Sequence, residues 1–208
     1  MRTHKIKAVF FDFDGVITTQ KSGSYVTNEY ISKKIGIPYN EFDKIIRPLN
    51  NQLLLGELSH KDIFPYLSKE FKISIDEALL NDAFLSTKMN YKIIEIADKL
   101  KYSYFIGIIT DNKNDRIEFL RKYHNLDSIF SSYIVSSQIG ALKKEEKPFI
   151  EAFIKNGFEY SECIFIDNNK ENLIVPNKLG ANTVFYDDEK NDYIELIEVL
   201  NVKYGLLV

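Results

Sequence analysis

The amino-acid sequence predicts an α/β fold: a Rossmann-like parallel sheet core with helices on both faces, and a small all-helical segment inserted after the first strand. Three observations predict it. Five short apolar runs, rich in β-branched and aromatic residues, are nearly continuous, as strands covered on both faces should be. Helical patterns lie between the later runs, and strand–helix alternation of that kind reads as a parallel sheet. The alternation is broken once, by a long stretch after the first run that carries no strand pattern.

The first strand is expected over residues 6–12. From about Ser22 to Thr87 the sequence reads as about four helices, with Pro38, Gly56 and Ser74 marking the breaks. The clearest of these covers 59–71, where Ile63, Phe64, Leu67 and Phe71 share one helical face. Ser59 with Asp62 resembles a capping box at its start. A helix near 91–101 precedes the second strand, 104–110. The remaining strands are expected at 132–136, 163–167 and 181–186, and the helices between them at 115–124, 148–156 and 169–179. Pro148 suits the first turn of its helix, and Gly157 and Gly180 suit helix ends. The division that follows is a core domain of residues 1–20 and 88–208 and a helical cap of residues 21–87.

A chain of 208 residues accommodates this arrangement. Its net charge of -3 argues against general electrostatic binding to nucleic acid or to an anionic membrane. No apolar run approaches the length of a membrane span. The first seven residues lead into an apolar run without a small-residue cleavage site, so no signal peptide is expected. The single cysteine, Cys163, has no internal disulfide partner and is expected to be a buried core thiol. A reducing, cytoplasmic location fits.

The chemistry gathers at strand ends. In an open α/β sheet, ligands bind beyond the carboxyl ends of the strands. The first strand ends in Phe10-Phe11-Asp12-Phe13-Asp14-Gly15-Val16, which puts two acids at that edge and a glycine where the chain must turn sharply. Taken alone, an Asp-x-Asp is as well explained by a solvated acidic turn. The second strand ends in Thr110-Asp111-Asn112, where a hydroxyl can donate to a phosphoryl oxygen. Lys143, Lys144 and Lys147 follow the third strand, and the fourth ends in Phe165-Ile166-Asp167-Asn168, with an acid available to a hard cation. Each of these has an ordinary surface explanation, but Asp-x-Asp, Thr, Lys and Asp at four successive strand ends are much harder to dismiss together.

That set resembles the motifs of the haloacid dehalogenase superfamily. The resemblance rests on Asp12-Phe13-Asp14-Gly15-Val16, Thr110, a lysine in 140–148, Phe165-Ile166-Asp167-Asn168 and the following Glu171-Asn172-Leu173. It covers most of the chain outside the insert, and the insert lies where the family carries a substrate-selecting cap. It implies a Mg²⁺-dependent phosphatase acting on a small phosphorylated substrate. Asp12 would attack phosphorus and form an aspartyl-phosphate. Asp14 would protonate the leaving oxygen and then deprotonate the hydrolytic water. The Asp12 carboxylate, the Asp14 backbone carbonyl and Asp167 would hold the metal, with Asn168 offering an amide oxygen. Thr110 and the lysine would stabilise the equatorial oxygens. Relatives that cleave carbon–halogen bonds lack an acid two residues after the nucleophile, so Asp14 puts this chain on the phosphoryl-transfer side.

Two departures stand out. The family usually has an acid where Asn168 stands, and Glu171 is a candidate to supply the missing carboxylate. Asp111 stands where relatives often have Asn, and an acid there is unfavourable beside a phosphate unless it points away. The lysine is open to two readings. Lys147-Pro148 reproduces a common family dipeptide, but Lys143, three residues after Gly140 and 24 before Asp167, has the family's spacing and is the preferred candidate. His4, His60 and His124 form no metal spacing or triad. Tyr25, Tyr30, Phe42, Tyr66 and Phe71 in the insert are expected to be mostly core, with one or two facing the site. A phosphomutase using the same nucleophile is the leading rival. A signalling receiver domain is disfavoured by the motif order and the length of 208 residues, and a binding module without catalysis by the intact Asp12, Asp14 and Asp167.

Overall fold

The computed structural model describes residues 5–207. The five expected strands form as β1 (Ala8–Phe11), β2 (Phe105–Thr110), β3 (Ser132–Val135), β4 (Cys163–Asp167) and β5 (Asn182–Phe185). They make one fully parallel sheet in the order β3-β2-β1-β4-β5. Side chains alternate between its faces with the strand period of two. Val9, Phe11, Ile106, Ile108, Ile164 and Ile166 point to one face; Ala8, Phe10, Ile109, Cys163 and Phe165 point to the other. Gly107 is required by this packing, because a Cβ there would lie 2.6 Å from Cδ1 of the Phe10 ring and closer still to Cε1.

Both faces are covered. On the second lies α9 (Lys147–Ala152), which buries Phe149 and Ala152 beside Phe153 and Phe165. The Cys163 thiol is buried in the same cluster, and burial pushes its pKa up to about 12, so it is the expected core thiol. On the first face lie α6 (Tyr91–Leu100), α7 (Asn114–Tyr123) and α11 (Tyr193–Glu198), through Ile93, Ile96, Leu100, Ile117, Leu120 and Leu196. Each such fully buried side chain is worth roughly 1.5–3 kcal/mol relative to exposure.

Between β1 and α6 the chain is helical: α1 (Gly23–Lys34), α2 (Tyr39–Ile46), α3 (Asn50–Leu55), α4 (His60–Phe71) and α5 (Glu77–Leu85). The expected breaks are where the sequence put them. Pro38 precedes α2, Gly56 ends α3 at φ +74°, and Ser74 lies between α4 and α5. The Ser59–Asp62 capping box forms in full. One expected helix is divided in two, because Pro48 lacks the N–H that a continuous helix needs, and a 3₁₀ turn at Arg47–Leu49 joins α2 to α3. The expected 169–179 helix likewise begins as a 3₁₀ turn, Lys170–Leu173, and becomes α10 (Ile174–Lys178) only where Pro176 falls in the first turn. The 148–156 helix ends early, passing into a 3₁₀ turn at Ile154–Asn156.

The insert's apolar side chains, Phe42, Leu53, Leu67 and Phe84 among them, are continuous with the cluster on the first sheet face. Its entry and exit run side by side. Thr18 and Met89 form an antiparallel bridge, Thr19 N–H donates to Lys88 O at 2.9 Å, and Asn90 N–H donates to Ile17 O at 2.8 Å. The tip of α3 rests on α8 (Ser136–Ile139), where Ser136 Oγ donates to Leu54 O at 2.7 Å. Among the described residues no helix is long and apolar enough to cross a membrane.

Candidate active site

The carboxyl edge of the sheet opens into a cleft of about 600 Å³ lined by the ends of β1, β2 and β4, by β5, and by α1 and α3 of the insert. Asp12 leaves β1 still tied to the sheet, its N–H donating to Ile166 O at 2.8 Å. The chain then turns through Phe13–Ile17, closed by Thr18 N–H donating to Phe13 O at 2.9 Å. Gly15 makes this turn at φ +84°, with the Asn168 side chain packed so closely that a Cβ would overlap it. Asn168 is thereby held against the turn that carries Asp12 and Asp14, and it lines the cleft.

Lys143 is the centre of the charged arrangement. Its ammonium lies 2.8 Å from Asp12 Oδ1 and 2.7 Å from Asp167 Oδ2, and all three side chains are at least nine-tenths buried. Burial acts against the Lys143 cation, but the charges of Asp12, Asp167 and Asp111 outweigh it and hold its pKa above the ordinary lysine value. The Asp12 carboxyl is raised above the usual carboxylate range, by burial first; Lys143 opposes that shift and Asp167 adds to it. Two buried carboxylates thus face one ammonium, an arrangement that is short of positive charge. Asp167 is braced further by Asn169 N–H at 2.7 Å and by Asn172 Nδ2, which donates to both of its oxygens at 3.3 and 3.0 Å.

Asp14 stands apart from this pair. Its carboxylate accepts from Arg116 Nη1 and Nη2, both at 2.9 Å, and from Asn112 Nδ2 at 2.8 Å. It still lines the cleft. Thr110 ends β2 nearly fully buried, its hydroxyl accepting from Asn112 Nδ2 at 3.3 Å, and it lines the cleft too. Asp111, unfavourable on paper, has a use: its Oδ1 accepts the Lys143 backbone N–H at 2.9 Å and so holds the loop that delivers the lysine. Burial raises the Asp111 carboxyl, with Lys143 opposing.

The structure brings Asp12, Asp14, Thr110, Lys143, Asp167 and Asn168 to one cleft. It does not bring Lys147 there; that side chain is exposed and donates to Ile139 O at 2.5 Å. Glu171 is exposed on the 3₁₀ turn and does not line the cleft, so the side chain that reaches the site from this segment is Asn172, on the turn's next position. None of the five insert aromatics lines the cleft: Phe42 and Phe71 stack on each other at 5.4 Å, and Tyr25 and Tyr66 face solvent. The aromatic that does is Phe185 of β5. His60 is buried, its Nδ1 2.7 Å from Asp115 Oδ2, where it joins α4 to α7; His124 is partly exposed, and His4 lies outside the described residues. Sequence reasoning missed Arg116, Asn112, Ser24 and Asn50. Arg116 carried one signal, its place on the buried face of α7 with Ile117 and Leu120, where an unpaired cation is not tolerated.

Among the described residues no three His, Cys, Asp or Glu side chains gather as a metal-holding set. What the site offers is an all-oxygen set around two buried carboxylates, Asp12 and Asp167, with the Asn168 amide and the turn backbone beside them. That donor chemistry fits Mg²⁺, which is commonly held by one or two carboxylates and keeps several waters.

Comparison with known proteins agrees with this fold. No curated protein matched the chain. A predicted HAD-like family hydrolase from Porphyromonas gingivalis shares the fold at 22% identity and a TM-score of 0.75, over 94% of this chain and 98% of that one. A HAD family enzyme from Bacteroides thetaiotaomicron, solved in complex with magnesium and inorganic phosphate, superposes with a TM-score of 0.76 at 18% identity, over 92% and 98% of the two chains. A HAD phosphatase from Thermococcus onnurineus gives a TM-score of 0.66 at 21% identity, over 94% and 98%. At these identities the likeness is one of fold. The family profile described as haloacid dehalogenase-like hydrolase matches residues 6–180. With that match across β1 to β4 and the residues at their ends, the chain belongs to the haloacid dehalogenase-like hydrolases.

Proposed function

We propose that this hydrolase is a Mg²⁺-dependent phosphatase that cleaves the monoester of a small phosphorylated metabolite through an aspartyl-phosphate on Asp12. One observation carries the reading: two acids at the end of β1 line one cleft in two different settings. Asp12 is buried against Lys143, and Asp14 is held separately by Arg116 and Asn112. Paired carboxylates with contrasting surroundings are suited to contrasting roles.

Asp12, directed by its contacts to Lys143 and to Phe13 N–H, attacks phosphorus. The bond to the leaving oxygen breaks, and that oxygen takes a proton from Asp14. In the second half Asp14 takes a proton from water as the water attacks the aspartyl-phosphate, which restores Asp12 and frees phosphate. Lys143 and the Thr110 hydroxyl are placed to stabilise the equatorial oxygens. Asp12, Asp167, Asn168 and the Asp14 carbonyl would hold Mg²⁺. The metal supplies charge neutralisation between carboxylate and phosphoryl group. Phosphate bound beside magnesium in the Bacteroides enzyme supports this reading.

The division into a core of residues 1–20 and 88–208 and a cap of 21–87 belongs to the same proposal. The paired entry and exit at Thr18 and Met89 support it, as do Ser24, Asn50 and Leu54, which the insert contributes to the cleft wall. Those three side chains set substrate choice, and replacing them reorders the ranking of substrates. The test is phosphate release from an aryl phosphate and from a panel of phosphorylated metabolites, with Mg²⁺ and with EDTA. Release of free phosphate that EDTA abolishes is expected. Full activity without metal would refute the reading, and a phosphorylated isomer as product would make the enzyme a phosphomutase.

A further inference from the structure

Among the described residues, Arg116 is the most deeply buried charged side chain that the reaction above does not use. It is 1% exposed, does not line the cleft, and presents both terminal nitrogens to Asp14. A guanidinium fork on a carboxylate fixes the plane of that carboxylate as well as its position, which a point charge does not. The fork is itself fixed from several sides. Nη1 also donates to Asn112 Oδ1 at 3.2 Å, Nη2 donates to Thr87 Oγ1 at 3.2 Å, and the guanidinium lies 5.6 Å over the Phe13 ring. At the first residue of α1, a Cβ on Gly23 would lie 2.6 Å from Nη2 and nearer still to Cζ and Nη1. The fork is therefore enclosed by α7, by the loop after β2, and by both ends of the insert, Gly23 and Thr87.

We propose that Arg116 is a positioning residue that sets the orientation of Asp14 for proton transfer to the leaving oxygen, and that the seating of the insert at Gly23 and Thr87 sets Arg116. The proposal rests on the phosphatase reading. The proton in question passes from the Asp14 carboxyl to the departing oxygen as the phosphorus–oxygen bond breaks and the phosphorus–Asp12 bond forms. An oxygen that leaves readily as an anion does not need that proton, whereas an alkoxide does. Misplacing Asp14 therefore harms alkyl phosphates and spares esters with acidic leaving groups. A purely structural loss harms both alike. Because kcat/KM ends at the first irreversible step, it reports this difference free of the later hydrolysis of the aspartyl-phosphate.

The experiment measures kcat/KM with Mg²⁺ for 2,4-dinitrophenyl phosphate and for a simple alkyl phosphate, in the wild type, Asp14→Asn, Arg116→Lys and Gly23→Ala, each checked for cooperative thermal unfolding. Arg116→Lys keeps the charge and loses the fork. Gly23→Ala leaves Asp14 and Arg116 chemically intact and sits at a helical position that accepts alanine, so it serves even where Arg116→Lys folds poorly. Expected is a drop in the alkyl-to-aryl ratio of kcat/KM of at least tenfold in both variants, with Asp14→Asn marking the full drop of roughly 10²–10⁴. Equal losses on both esters, or an unchanged ratio in Gly23→Ala, would overturn the proposal while leaving the phosphatase reading in place. A wild type inactive on both esters would overturn the phosphatase reading, and the proposal with it.

Discussion

At the scale of single residues, the chemistry of each side chain was more legible in the sequence than its partner. Lys143 was preferred over Lys147 because its spacing resembles the family's, and it is Lys143 whose ammonium lies between Asp12 and Asp167. The exposed Lys147, engaged with Ile139 O, shows that a local dipeptide says little about direction. Lys143→Ala should lower kcat/KM by on the order of 10²–10³ and Lys147→Ala should be near normal. Removing the ammonium also leaves Asp12 and Asp167 buried without their cation, at a cost of about 3–5 kcal/mol, so the two variants are compared at a temperature where thermal unfolding shows both folded. A crippled Lys147→Ala beside a normal Lys143→Ala would reverse the assignment. Arg116 was legible only as a cation on the buried face of α7; its partner Asp14 lies about a hundred residues earlier in the chain, and no local pattern encodes that pair. Lys113 was hidden in the same way. It is 5% exposed, bonded to Ser24 Oγ and, at 2.7 Å, to Asn50 Oδ1, and burial lowers its pKa from 10.5 to about 8. The folded state thus binds fewer protons than the unfolded state between about pH 8 and 10.5, so this residue makes stability rise with pH across that window. Below it the charged lysine opposes folding by up to about 3 kcal/mol at 1.4 kcal/mol per tenfold. Equilibrium unfolding of Lys113→Met against pH should lack that rise, and an identical profile would show that Lys113 titrates normally.

At the scale of elements, the signals that worked were those with a local physical cause. Pro38, Gly56 and the Ser59 cap marked helix boundaries correctly, because each acts on its own backbone, whereas Pro65 lies inside α4 without breaking it. Pro48 and Pro176 also divided or delayed helices that periodicity alone would have continued. Packing between elements was not legible. Gly56 reads as a helix end, and it is one, but it also lies so close to Ser137 that a Cβ would overlap that residue's carbonyl oxygen. Gly56→Ala therefore meets a left-handed backbone and a steric clash together, and should destabilise the protein by at least about 1–2 kcal/mol. A thermal midpoint unchanged from wild type would mean that α3 and α8 separate at little cost.

At the scale of the whole molecule, the parallel sheet gathers residues from distant parts of the chain at one edge. Strand–helix alternation predicted that edge, and with it the neighbourhood of Asp12, Thr110, Lys143 and Asp167. The angle of the insert and the aromatic on the cleft wall came from packing instead, which is why Phe185 was overlooked in favour of insert aromatics. If Asp12 and Asp167 hold Mg²⁺, the ion binds only the assembled edge, and mass action should stabilise the fold by about 1.4 kcal/mol for each tenfold by which its concentration exceeds the dissociation constant, raising the midpoint of thermal unfolding. Differential scanning fluorimetry against Mg²⁺, reversed by EDTA, measures this; a flat response would argue against a metal at that edge.

The strand order has a consequence in time. β1 is made early yet lies in the middle of the sheet, and its two neighbours begin at Phe105 and Cys163. While the chain is being synthesised, the six helices α1 to α6 between β1 and β2 can form before either neighbour exists, and the apolar strand that precedes Asp12 has nothing to pair with. Closing such distant contacts is slow relative to local helix formation. An unpaired hydrophobic strand is the feature that molecular chaperones and aggregation both act on. A chain released from the ribosome before β4 is complete would keep one side of β1 open, so the strand that ends at Asp12 is exposed to misassembly during the protein's birth.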